Sequence, residues 1–239
     1  NINFGNALCA SGTLGFFGEG YWYHKIPWPL GPNFDGCTFV AKTTTLLPRA
    51  GNMPLKADGL TPREWKPRCI EVKWFKGVAL NAVGLSGPGA PALFETGRWQ
   101  RRTRPFFLSF MSVAKTAQER KEELREFVAL FKKHLSEFRA RVGLQINVSC
   151  PNAGVHTQDL VNEVSDLLDI AYTLGIPLMP KFAVTVPVAD GYEVSLHQAC
   201  DAICISNTLP WGALPERIDW QGLFGTSTSP LADMGGGGL

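Results

Sequence analysis

The sequence lacks several features that would narrow its function at once. It has only four histidines and six cysteines in 239 residues, and the cysteines form no CxxC pair. We therefore predict no metal site and no disulfide framework, and we expect free thiols in a reducing, cytoplasmic compartment. No uninterrupted apolar run is long enough to cross a membrane, and no signal-peptide pattern is visible, so we expect no membrane span.

An excess of charge of one sign is also missing. Lysine and arginine number 23 and aspartate and glutamate 21, which leaves a formal net charge of +2. The basic residues gather only mildly, at 66–76 and 98–104, as is typical of a solvated surface, so we expect no nucleic-acid partner. The glycine fingerprints of Rossmann and P-loop proteins are absent. The glycines at 235–238 could expose backbone N–H groups to a phosphate, but their composition favours a flexible tail.

The chain does contain an alternation of apolar runs and amphipathic patterns. Strands are predicted at 37–41, 78–83, 106–111, 144–148, 177–184 and 202–206, and helices at about 116–141, 159–174 and 193–200. The alternation predicts a parallel α/β sheet, either doubly wound or closed as a (β/α)8 TIM barrel. Polar side chains follow the ends of many strands, which favours the barrel over the single switch point of a doubly wound sheet.

Only six strands are visible, so we expect the C-terminal strands of such a barrel to be missing from this chain. We interpret 1–239 as one barrel domain, incomplete at the C-terminus. Residues 46–76 are proline-rich and weakly periodic, and they predict an excursion or lid within that domain.

The most specific motif is the hexapeptide Asn147-Val-Ser-Cys-Pro-Asn152, directly after a predicted strand. Its thiol, Cys150, can act as a nucleophile or a base, and its two amides can hydrogen-bond a planar ligand. Lys42 follows a strand and Lys181 lies towards the end of one, where they can neutralise an anionic cofactor or developing negative charge. Taken singly, each lysine is equally well explained as a surface residue, and Cys150 as a buried structural cysteine.

These segments together resemble the dihydroorotate dehydrogenases, which are FMN-dependent (β/α)8 barrels of pyrimidine biosynthesis. The hexapeptide is the most specific match, and the resemblance runs across nearly the whole chain. The other matching segments are individually modest: Ala10-Ser11-Gly12, Lys42-Thr43-Thr44, Asn81-Ala-Val-Gly84-Leu85, Ser206-Asn207-Thr208 and Gly237-Gly238-Leu239.

The resemblance implies an FMN-dependent oxidation of dihydroorotate to orotate. Cys150 would be the base that removes the C5 proton while a hydride leaves C6 for the flavin, and a cysteine base marks the soluble branch of the family. The implied substrate-binding residues are Asn81, Asn147, Asn152, Asn207 and Lys42. The implied FMN-binding residues are Ala10, Ser11, Lys42, Thr43, Ser109, Asn147, Lys181, Thr208, Gly237 and Gly238.

The sequence also departs from the family pattern. It ends within the glycine stretch, so we expect part of the FMN phosphate site to be missing, and Gly87 stands where an asparagine is expected. Three alternatives stay open: a flavin barrel that acts on another dihydropyrimidine, a non-catalytic relative that no longer binds FMN, and a (β/α) domain with another small ligand and a structural Cys150. The electron acceptor is open among fumarate, a quinone and an iron–sulfur partner subunit, and a homodimer is the default expectation.

Overall fold

The computed structural model describes residues 2–27, 29–148, 163–205 and 207–239. Its strands are β1 (Phe39–Val40), β2 (Ile70–Lys73), β3 (Val78–Asn81), β4 (Phe106–Phe110), β5 (Val142–Asn147), β6 (Leu178–Phe182) and β7 (Cys204–Ile205). Its helices are α1 (Ala90–Glu95), α2 (Ala117–Leu135), α3 (Val164–Tyr172), α4 (Val188–Ser195) and α5 (Trp220–Phe224). Short 3-10 turns lie at Trp22–Lys25, Trp74–Lys76 and Ala232–Met234.

A parallel sheet with the order β1-β4-β5-β6-β7 forms the centre of the fold. Every neighbouring pair in it is parallel, which confirms the α/β prediction. The described residues do not close into eight strands, so the sheet corresponds to part of a barrel and the complete (β/α)8 architecture stays a prediction. No helix within the described ranges is both long and apolar enough to cross a membrane.

The two faces of the sheet differ, because successive side chains of a strand point to opposite sides. On the helix-covered face, Phe106, Leu108 and Phe110 pair in register with the buried residues Val142, Leu144 and Ile146. On the other face, called the inner face below, Phe107 lies beside Gly143 and Ser109 beside Gln145. A side chain at Gly143 would overlap the Phe107 ring, so glycine lets this ring fill the base of the inner face.

Helix α2 covers the sheet and begins with a capping box. The Thr116 hydroxyl accepts a hydrogen bond from the Glu119 amide at 3.2 Å, and the Glu119 carboxylate accepts one from the Thr116 amide at 3.0 Å. Its buried stripe includes Leu124, Phe127 and Phe131, as the 3.6-residue period predicted. The helix therefore supplies the apolar layer that keeps strands β4 and β5 covered.

Three predicted elements differ from the structure. The predicted strand at 78–83 is β3, which leaves the parallel sheet and pairs antiparallel with β2 through a turn closed by Gly77 at φ 64°. Helix α2 ends at Leu135 rather than 141, and beyond its end the Phe138 ring stacks on the ring of Phe106. The helix predicted at 193–200 lies at Val188–Ser195. It begins after Pro187, whose fixed φ suits a helix start.

Candidate functional site

A cavity of about 1000 Å³ opens beside the carboxyl ends of the parallel strands. The inner face of the sheet carries Phe107 and Met179 in an apolar cluster, and one step further along β5 and β6 it carries the register pair Asn147 and Lys181. Parallel strands end at the same edge, so polar side chains at these positions converge. Nine of the predicted site residues line the cavity: Ala10, Ser11, Lys42, Thr43, Asn81, Asn147, Lys181, Asn207 and Thr208.

A chain of hydroxyl groups forms the floor of the cavity. The Ser11 hydroxyl lies 2.9 Å from that of Thr43, which lies 2.8 Å from the hydroxyl of Ser109. Ser109 donates to the side-chain oxygen of Gln145 at 3.1 Å, and the Asn147 amide donates to Thr43 at 3.3 Å. Ser109, a predicted FMN-binding residue, does not line the cavity, and its hydroxyl contacts Thr43, which does. The three partners of Thr43 use the one donor and two acceptor positions of its hydroxyl, so Thr43 holds the Ser11 and Asn147 side chains in place at the cavity.

Lys42 is a buried charged group of the cavity whose pKa is strongly shifted. Its side chain is only 8% exposed, and its ammonium donates to the Ser86 carbonyl at 2.5 Å. Burial lowers the pKa of Lys42 from 10.5 to about 8, and the neighbours Cys69 and Glu19 oppose this fall. Burial in turn raises the pKa of Cys69, and the positive charge of Lys42 opposes that rise.

Sequence reasoning missed three residues that shape the site. Glu19 accepts hydrogen bonds from the backbone amides of Phe16 and Phe17, which closes the loop over the cavity. Tyr21 donates to the Gly12 carbonyl at 3.3 Å, and burial raises the pKa of Tyr21 to about 12. Gln145 lies two residues before Asn147, so the two-residue strand period could have placed it on the same face.

The glycine stretch is ordered by backbone pairing. The Gly238 amide donates to the Asn81 carbonyl at 2.7 Å, and the Asn81 amide donates back at 2.8 Å. The Trp211 amide donates to the Gly237 carbonyl at 3.1 Å, so the prediction of a flexible tail is wrong. Leu239 lines the cavity next to these two glycines. The assignment of Gly237 and Gly238 as FMN ligands stays a prediction.

The 46–76 segment lies against the cavity. Ten of its residues, between Met53 and Ile70, line the cavity wall. It is joined to the rest of the fold by an antiparallel bridge between Arg49 and Gly87. On the rim, the Trp65 ring stacks on Trp22 with centroids 4.5 Å apart, and the Trp22 indole donates to the Trp65 carbonyl at 3.2 Å. The contacts connect this segment with the N-terminal part of the chain.

Two predicted residues, Cys150 and Asn152, lie outside the described residues. Their assignments as base and substrate ligand therefore stay predictions, although Asn147 and Val148 lead directly to them. Across the described ranges, no group of three or more His, Cys, Asp or Glu side chains is arranged to hold a metal ion.

No protein-family model matches the chain. Comparison with known proteins finds relatives that share one name. The catalytic subunit of dihydroorotate dehydrogenase B (NAD(+)) from Thermoanaerobacter pseudethanolicus is 28% identical over 242 residues, which span 94% of this chain and 68% of that protein. The subunit of the same name from Thermoanaerobacter sp. strain X514 is 27% identical over the same shares. The one from Desulforudis audaxviator is 35% identical over 147 residues, or 61% of this chain and 38% of that protein.

Proposed function

We propose that the chain is a member of the dihydroorotate dehydrogenase family and that it oxidises dihydroorotate to orotate in pyrimidine biosynthesis with FMN as its cofactor. The single observation that carries this proposal is the convergence of nine predicted residues on one cavity at the strand ends. We further propose that the parallel sheet is part of a (β/α)8 barrel, since such barrels build their sites at this edge.

The residues present fit FMN in size and chemistry. The cavity volume, about 1000 Å³, is at the upper end of the range for small-molecule sites. Its floor offers the hydroxyl of Ser11 and the amide of Asn147, both held by Thr43, as neutral hydrogen-bonding groups for a heterocycle. Lys42 and Lys181 are 8% and 7% exposed and supply positive charge for an anionic group. FMN, when bound, supplies the hydride acceptor that protein side chains lack.

Lys42 would hold negative charge at the buried end of the site. With a pKa of about 8, its side chain is mostly protonated at neutral pH. Because the Lys42 side chain is only 8% exposed, little solvent screens its ammonium, which therefore interacts strongly with an anion. Its bond to the Ser86 carbonyl holds the charge in place before the substrate arrives.

The asparagines would orient the substrate, and Cys150 would move the proton. Each amide side chain offers both a donor and an acceptor, which matches the alternating N–H and C=O groups of a dihydropyrimidine ring. The Cys150 thiolate takes the proton from C5, and the electron pair of that bond forms the C5=C6 double bond as the hydride departs from C6. A thiol of ordinary pKa about 8.5 can serve as such a base near neutral pH.

Steady-state turnover tests the proposal. The protein is reconstituted with FMN, binding is followed by quenching of flavin fluorescence, and orotate formation is measured with an artificial dye as electron acceptor. We expect saturable FMN binding and dihydroorotate-dependent orotate formation. FMN binding without orotate formation would favour another dihydropyrimidine, and no FMN binding would favour a non-catalytic relative. The relatives are named for NAD(+), so NAD+ joins the acceptors to be compared.

A further inference from the structure

We propose that Phe16 is a positioning residue of this site, whose ring holds the Lys42 ammonium against the Ser86 carbonyl. The inference deepens the proposed function and rests on it only for the catalytic consequence. The Lys42 nitrogen lies 4.8 Å from the centroid of the Phe16 ring and 2.5 Å from the Ser86 oxygen. An aromatic face attracts a cation, most strongly where water is excluded, and Phe16 is 1% exposed.

The backbone of Phe16 is held by hydrogen bonds at both its carbonyl and its amide. The Trp99 indole donates to the Phe16 carbonyl at 2.6 Å, and the Glu19 carboxylate accepts from the Phe16 amide at 3.0 Å. These bonds fix the backbone from which the ring projects into the cavity wall. The ring is therefore a preset surface under Lys42 rather than a side chain free to move away.

Gly87 provides the space for the tip of the ring. A Cβ atom at position 87 would lie 2.7 Å from Cζ of Phe16, closer than atoms can pack without displacement. The backbone of Gly87 is held by two hydrogen bonds to Arg49, at 2.8 and 2.9 Å, so it cannot easily retreat. The position of the Phe16 ring, and through it that of the Lys42 ammonium, therefore depends on residue 87 being a glycine.

The decisive experiment measures the titration midpoint of Lys42 in the flavin-free protein, by the pH dependence of its acylation or by the NMR signal of its labelled side chain. The charged neighbours that act on Lys42 are Glu19 and Cys69, and neither is altered. We expect Phe16→Leu to lower the midpoint by about one pH unit, because the ring that stabilises the protonated ammonium is then gone and the neutral amine becomes relatively more stable. Gly87→Ala, which pushes the ring aside, should lower it similarly.

Two further variants make the result specific. The double variant Phe16→Leu/Gly87→Ala should match Phe16→Leu alone, since the added methyl group then meets no ring. Phe17→Leu is the matched control, because the Phe17 ring packs at a tilt against Trp99 and lies under Arg98 instead of Lys42, so the midpoint should stay unchanged. Midpoints that stay at the wild-type value in both single variants would overturn the proposal. If Phe16→Leu does not fold, Gly87→Ala decides alone.

Kinetics separate this inference from the proposed function. In the FMN-loaded enzyme, Phe16→Leu should raise KM for dihydroorotate about tenfold with a smaller change in kcat, because a misplaced cation weakens anion binding. A shifted midpoint without any dihydroorotate turnover would leave the role of Phe16 intact and refute the proposed function. An unshifted midpoint with normal turnover would refute the role of Phe16 and leave the proposed function intact.

Discussion

Replacing Lys42 with methionine should stabilise the flavin-free protein at neutral pH. The fall of the Lys42 pKa from 10.5 to about 8 means that folding disfavours its charged form. At about 1.36 kcal/mol per pKa unit, the cost is about 3 kcal/mol when the side chain is charged in both states. Methionine has a similar shape and no charge, but it leaves the Ser86 carbonyl unbonded, at a cost of about 1 kcal/mol. The expected net gain is about 2 kcal/mol at pH 7.

The sign of the pH dependence follows from proton binding. Below pH 8 the ammonium is protonated in the folded and unfolded chains, so the full cost is present. Between pH 8 and 10.5 the unfolded chain binds more protons, so raising the pH stabilises the folded wild type. Lys42→Met has no such titration. Its advantage should therefore shrink as the pH rises and should be close to zero at pH 10.

Urea unfolding of both proteins at pH 7 and pH 10, without flavin, measures this difference. Other groups titrate over the same range, but they do so in both proteins and cancel in the comparison. Lys56→Met is the matched control, because Lys56 also lines the cavity and is exposed. A Lys42→Met advantage that is absent at pH 7, or that does not change with pH, would refute the reasoning. The predicted result would mean that a buried cation is kept at the expense of stability, as functional sites often require.

Three further predictions concern the base, the core and the cavity rim. Cys150→Ala should lower kcat by about 10²-fold or more in a turnover assay while FMN affinity is unchanged; equal turnover would remove Cys150 as the base. Glu163→Leu should destabilise the protein by about 3 kcal/mol in urea unfolding, because it strands the guanidinium of Arg120, which is 4% exposed and bonded to Glu163 at 2.7 and 3.0 Å. The double variant with Arg120→Met should cost less than the two single changes together, and strict additivity would contradict the coupling. Trp65→Ala should speed proteolysis of the 46–76 segment about 2- to 10-fold, while Trp74→Ala, an exposed residue in the β2–β3 turn, should have no effect; equal rates for both would mean that the rim stack does not hold the segment.

The sequence predicted the part of the site that depends on strand ends. Asn147 ends strand β5 and Lys181 lies one residue before the end of β6, and the register that pairs them follows from parallel strands packed side by side. The same rule placed Lys42 on the cavity wall after β1. These residues were predictable because one local pattern, an apolar strand followed by a polar residue, determines their position.

The rest depends on contacts that no local pattern encodes. Strand β3 resembles a strand of the parallel sheet, but its partner β2 is intermediate in exposure along its whole length and carries no clear period. The support of Lys42 by Phe16 requires that residue 87, far along the chain, has no side chain. The pairing of Gly238 with Asn81 joins residues 157 apart, whereas a run of glycines alone predicts only flexibility.

The measurement that tests the central claim most directly is the anaerobic absorbance spectrum of the FMN-loaded protein before and after addition of dihydroorotate. The account predicts that the visible flavin bands bleach with wild type and bleach at least about 10²-fold more slowly with Cys150→Ala. Cys37→Ala, which removes an exposed free thiol, should bleach like wild type. Flavin bands that stay unchanged in the wild-type protein at saturating dihydroorotate would contradict the proposed reaction.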